Sequence, residues 1–133
     1  MKRVLSQLLF LLCLYVYPQK YGLTSPDGKL TAGIEIDNGI YVALLKGRNP
    51  LIRFGNIAVE NYYVAERNAD FKVLKAYTRS VNEIIEPEIR EKSSVYTNSY
   101  NELEVRFRKN YAITFRMFNE GLAYRFSMSE RTA

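Results

Sequence analysis

Across most of this chain one pattern recurs: short runs in which every second residue is apolar, separated by clusters of Gly, Pro, Asn and Asp. Leu30, Ala32, Ile34 and Ile36 alternate with Thr31, Gly33, Glu35 and Asp37, which is the period of a strand with one buried face. Asn38-Gly39 interrupts, and Ile40, Val42 and Leu44 resume the alternation. Asn-Gly between two such runs predicts a hairpin closed by a type I′ turn, because that turn needs φ > 0 at both central residues. Gly47-Arg48-Asn49-Pro50 makes the next break, and apolar stretches follow around Leu51 to Val59 and Tyr62 to Val64. Phe71, Val73, Lys75 and Tyr77 continue the period of two.

The segment Ser80 to Ser94 is acidic and irregular. A helix over Val81 to Ile89 would hold Pro87 in its interior and lose a hydrogen bond there, so a strand or irregular connection is expected instead. The last third is the clearest. Leu103, Val105 and Phe107 face one way, while Glu102, Glu104, Arg106 and Arg108 face the other. Opposite charges on a solvated sheet face account for that second set. Asn110 falls in the turn to a strand carrying Ile113, Phe115 and Met117, and Asn119-Glu120-Gly121 turns the chain into Leu122, Tyr124, Phe126 and Met128. Short strands with regularly spaced turns predict an all-β fold, an antiparallel β-sandwich made of hairpins. The chain stops at Ser129 to Ala133 directly after a strand and with no closing element, the ending expected of a truncated domain.

The N-terminus obeys a different rule. Lys2 and Arg3 precede a nearly unbroken apolar run from Val4 to Val16, the layout of a secretory signal and too short to span a bilayer. Residues 1–19 are therefore expected to be a signal peptide and residues 20–133 the domain, exported to the periplasm with no membrane attachment once the signal is removed. Leu12 stands where a lipoprotein signal wants a small residue, which argues against a lipid on Cys13.

Without the signal the domain has no cysteine, histidine or tryptophan, so disulfides, thiol chemistry, Ser-His or Cys-His nucleophiles and the commonest zinc ligand are all absent from it. The net charge of +5 comes from Lys and Arg scattered among Glu and Asp, which is not the footprint of a nucleic-acid partner. Glycoside hydrolysis needs two carboxyl groups facing one another across the bond. Glu102 and Glu104 share a strand face, but a surface strand carrying Glu and Arg explains them as well. Eleven Tyr and seven Phe could supply sugar-stacking platforms, although alternation alone does not separate exposed rings from packed ones.

Two stretches carry a more particular signal. Leu23-Thr24-Ser25-Pro26-Asp27-Gly28-Lys29-Leu30 is the first. The second runs from Tyr96-Thr97-Asn98-Ser99-Tyr100-Asn101-Glu102-Leu103 through Arg116-Met117-Phe118-Asn119-Glu120-Gly121-Leu122-Ala123-Tyr124-Arg125-Phe126. Together they resemble the N-terminal domain of glycoside hydrolase family 97, exported α-glucosidases and α-galactosidases of Bacteroides-like bacteria. The chain departs from the family pattern by having Ile84-Ile85-Glu86 where a Trp is usual, and Ser99 where a His is usual.

The resemblance implies part of a large galactose-mutarotase-like β-super-sandwich packed on a (β/α)₈ catalytic barrel. It also implies that the catalytic carboxylates and most ligands of the full-length family's calcium lie outside this segment, leaving no cofactor to the chain itself. The expected role is a non-catalytic support that borders the site for an α-glucan or α-galactoside. Asn98, Tyr100, Asn101 and Glu102 are the candidate carbohydrate-binding or interdomain residues, placed at the entrance to the strand Leu103 to Phe107, where Asn and Glu side chains commonly fix a turn. Two rival readings stand beside it. One is a free-standing exported β-sandwich that holds a glycan on exposed aromatics; the other is a small enzyme using Glu102 or Glu104.

Overall fold

A computed structural model of the chain describes residues 19–58, 71–86, 95–108 and 110–128. Of the expected signal sequence over residues 1–19, all but Gln19, which opens the first strand, lies outside the described residues, as do the apolar stretch Tyr62 to Val64, Pro87 and the terminal Ser129 to Ala133. The described residues contain eight strands: β1 (Gln19–Thr24), β2 (Leu30–Ile36), β3 (Ile40–Lys46), β4 (Asn49–Phe54), β5 (Val73–Ile85), β6 (Tyr96–Phe107), β7 (Tyr111–Met117) and β8 (Leu122–Met128). They form two antiparallel four-stranded sheets, ordered β1-β2-β3-β4 and β5-β6-β7-β8.

The alternation in the sequence becomes the core. Leu30, Ala32, Ile34 and Ile36 of β2, with Ile40 and Val42 of β3, join one apolar cluster with Leu103, Val105 and Phe107 of β6 and Ile113, Phe115 and Met117 of β7. One face of each central strand is thus removed from water, the arrangement of an antiparallel sandwich. At one border Phe54 of β4 stacks on Tyr124 of β8, with ring centroids 6.2 Å apart.

Several local features of the described strands depart from the simple period, among them a bulge at Leu51 between β3 and β4. The β2–β3 hairpin forms, but Ile36 pairs with Ile40, so Asp37-Asn38-Gly39 makes a three-residue loop closed by the Asp37 amide on the Gly39 carbonyl at 3.1 Å. Neither Asn38 nor Gly39 has positive φ, so the expected type I′ turn is not used. The tight two-residue turn comes later, at Gly47-Arg48 between the paired Lys46 and Asn49, with Gly47 at φ 59° as a type II′ turn requires.

A further bulge lies in β5. Val73 pairs with Phe107 but Lys75 pairs with Arg106, so Leu74 is the extra residue. Phe71 and Val73 therefore pack on the core, while Lys75 and Tyr77 pass to the opposite face. The run Phe71, Val73, Lys75, Tyr77 reads as one face in the sequence and is split between two in the fold.

Another departure is the extent of β5 and β6. The acidic segment continues as strand through Ile85, as the Pro87 argument favoured, and β6 begins at Tyr96. Asn98 to Asn101 accordingly lie within β6 and not in a turn before it. Beyond Asn101, toward Tyr96, β6 pairs with β5 alone, because β7 starts its pairing at Asn101. The two strands project there as a ribbon.

Candidate functional site

Strand alternation places Asn98, Tyr100, Glu102 and Glu104 on the outer face of the second sheet and Asn101 on the inner one. Register then decides the neighbours. Glu102 lies directly between Arg79 of β5 and Arg116 of β7. Arg79 Nε donates to Oε1 and Arg116 Nε to Oε2, each at 2.6 Å, and Glu102 is only 4% exposed. At Glu102 this corrects the solvated charged face expected from the sequence, whereas Arg106 and Arg108 are exposed as expected. Burial on its own would raise the Glu102 carboxyl, but the hydrogen bonds and charges of Arg79 and Arg116 outweigh it and hold the group below the usual carboxylate range. A buried carboxylate held in its ionised form by two arginines, one on each oxygen, is poorly placed to act as an acid or a nucleophile.

Tyr100, also buried, completes this cluster. Its ring lies under the Arg116 guanidinium, 4.7 Å from the centroid, and packs on Phe118 at 5.2 Å. Glu104 is held separately by Arg106 Nε at 2.6 Å. Asn98 Nδ2 donates to Glu83 Oε1 at 2.5 Å across the ribbon. Among the described residues, no group of three or more His, Cys, Asp or Glu side chains is placed to hold a metal ion.

Asn101 belongs to a different device. Its Nδ2 donates to the Thr24 carbonyl of β1, in the other sheet, at 2.7 Å, while its Oδ1 accepts from Ser80 Oγ at 2.6 Å. A second bridge lies close by in the chain: the Asp27 amide donates to Asn119 Oδ1 at 3.0 Å. Both bridges start from the Ser25-Pro26-Asp27-Gly28 turn and its flank. That turn is internally fixed, with Ser25 Oγ donating to Asp27 Oδ1 at 2.6 Å and accepting from the Leu30 amide at 2.9 Å, and with Gly28 at φ 74°. The two sequence stretches singled out above therefore meet, and their polar residues tie the sheets to one another.

The structure thus gathers Tyr100 and Glu102 into one cluster, puts Asn101 in the inter-sheet join and leaves Asn98 on the ribbon. Arg79, Arg116 and Asn119 were not foreseen as partners. Their roles depend on strand register, which spacing along the chain does not reveal.

The sequence model described as the glycosyl-hydrolase 97 N-terminal domain matches residues 23–133. The chain belongs to glycoside hydrolase family 97. Among its relatives in the family is a retaining alpha-galactosidase of Bacteroides thetaiotaomicron, 37% identical over 130 residues, which are 95% of this chain and 19% of that protein. The fold also matches a family 97 enzyme of Pseudoalteromonas sp. strain K8 in complex with acarbose, with a TM-score of 0.71 at 17% identity, over 85% of this chain and 18% of that one. A variant form from the same strain in complex with panose matches equally well. At that identity the likeness is one of fold. The chain spans about one fifth of the length of these family 97 relatives.

Proposed function

We propose that this domain serves a family 97 α-glycosidase as its non-catalytic N-terminal β-sandwich, supporting a catalytic barrel and bordering the site for an α-glucan or α-galactoside. The observation that carries this reading is the state of Glu102: the best-placed carboxylate is locked between two arginines. What remains of the family motif binds sheet to sheet. A relative described as a retaining alpha-galactosidase, of which the chain matches 19%, supports a parent enzyme of that class. We infer that most ligands of any calcium in the parent enzyme lie outside this domain, in keeping with the lack of a cluster of metal-ligating side chains among the described residues.

A chimera tests the supporting role. Residues 23–133 replace the matching segment of the Bacteroides alpha-galactosidase, and α-galactoside hydrolysis is compared with that of a version lacking the segment. The expected result is activity within about tenfold of the parent, a change of about 1.4 kcal/mol in transition-state stabilisation, and loss in the truncated form. Equal activity with and without the segment would remove the supporting role.

Export belongs to the same proposal. Lys2 and Arg3 ahead of Val4 to Val16 direct the chain to the periplasm, with roughly the first twenty residues removed. Mass spectrometry of the protein from cells checks it, and an intact Met1 in the soluble cytoplasmic fraction is the contrary result.

A further inference from the structure

Four tyrosines of the described residues are at least two-fifths exposed, and their surroundings separate them. Tyr124 stacks at the core border and Tyr77 is bracketed by Lys75 and Arg106, with cation distances of 4.7 and 5.0 Å. Tyr96 stands on the ribbon. Tyr41 lines a cavity, a trough of about 460 Å³ on the outer face of the first sheet.

The sheet itself makes this trough. Gly33 of β2 and Ala43 of β3 line it and stand in register with Gly22 of β1, so one row of the face has almost no side chains. A Cβ built at Gly22 or Gly33 would meet nothing within 4 Å, which shows that the space above them is open. The adjoining row is Lys20, Glu35 and Tyr41, with Lys20 Nζ 3.6 Å from Glu35 Oε2. Arg53, opposite Ala43 on β4, closes the end of the small-residue row. Its guanidinium has no partner among the described residues.

Tyr41 is 48% exposed, and its ring packs on the backbone at Gly39 and Gly55. A Cβ at Gly55 would overlap its ring, and one at Gly39 would lie 3.2 Å from its Cε2, so both glycines keep room for the ring against the backbone. Its hydroxyl has no partner among the described residues either. An aromatic ring held in one position costs little further ordering when a ligand stacks on it.

We propose that this trough is a saccharide-binding site, separate from the Glu102 cluster, that takes a neutral oligosaccharide with one sugar ring against Tyr41. Sugar hydroxyls both donate and accept, and the trough offers a donor in Arg53 and an acceptor in Glu35 on either side of an apolar ring. Its volume is in the range of about 300–1,000 Å³ usual for small-molecule sites, room for on the order of two or three hexose units. The saccharide class follows from family 97 membership, and the site does not depend on the supporting role proposed above.

Titration of the full chain with maltotriose, and separately with raffinose, followed by calorimetry and by the tyrosine signals in NMR, tests the site. Saturable binding is expected with at least one of them. Tyr41→Ala weakens it by about tenfold or more, the loss of one stacked ring, while Tyr41→Phe stays within about threefold. Arg53→Ala, a change at an exposed residue that has no partner among the described residues and so does not threaten their folding, also weakens binding several-fold. Absence of saturable binding to both sugars, or binding that Tyr41→Ala and Arg53→Ala leave unchanged, overturns the proposal. A failed chimera with intact sugar binding would count against the supporting role alone.

Discussion

Glu102 owes its state to two arginines that approach from opposite strands, and its energetics follow from how unequally the three groups are buried. The carboxylate side chain is 5% exposed, whereas Arg79 is 60% and Arg116 36% exposed. Removing the carboxylate leaves arginines that can still reach water, so the cost stays below that of orphaning a buried charge. Glu102→Gln is expected to lower stability by about 1–2 kcal/mol, around the lower end of the range for charged hydrogen bonds because the arginines are solvated. Thermal melting at neutral pH checks this. The pH dependence has a definite sign. A carboxyl whose folded pKa is depressed stabilises the fold above its unfolded pKa, and that stabilisation disappears as pH falls through the folded value. The gap between the wild type and Glu102→Gln should therefore narrow as pH drops below the ordinary carboxylate range. A constant gap down to strong acid would show that the carboxylate charge is not what the arginines hold. None of this was legible in the sequence, where Glu102 reads as one member of a charged strand face.

At the scale of elements, the strands of the core were largely legible because their apolar residues keep a strict period of two: Leu30 to Ile36, Leu103 to Phe107 and Ile113 to Met117 are buried as that period demands. What escaped the sequence depends on backbone choices that side-chain polarity does not encode. The bulge at Leu74 reverses the faces of β5 in mid-run, and Gly47-Arg48, not Asn38-Gly39, supplies the tight turn. β1 was missed outright, since Gln19 to Thr24 carries too few apolar residues to announce a strand and gains its place by pairing with β2. The inter-sheet bridges belong to this scale as well. Asn101→Ala and Asn119→Ala each remove one side-chain bond to the backbone of the first sheet's N-terminal strand and turn. Each is expected to cost on the order of 1 kcal/mol, seen as a fall of a few degrees in melting temperature. The double variant should show roughly additive losses if the bridges act independently, and coupling if the Ser25 to Gly28 turn moves as a unit. Unchanged stability in both single variants would mean that the sheets are held by the apolar core alone.

For the molecule as a whole, the two sheets share a core but leave apolar side chains at the β4 and β8 border, where Ile52 is 52% and Tyr124 47% exposed. Such a border suits a domain that supports further structure, in keeping with relatives about five times its length. On the reading proposed above, this domain supports catalysis without performing it. Hydrolysis of aryl α-glucosides and aryl α-galactosides by the purified chain, measured with and without calcium, decides the point. No release of the aryl group above the uncatalysed rate is predicted under either condition. Turnover that disappears in Glu102→Gln, while the variant stays folded, would contradict it and make Glu102 a catalytic residue.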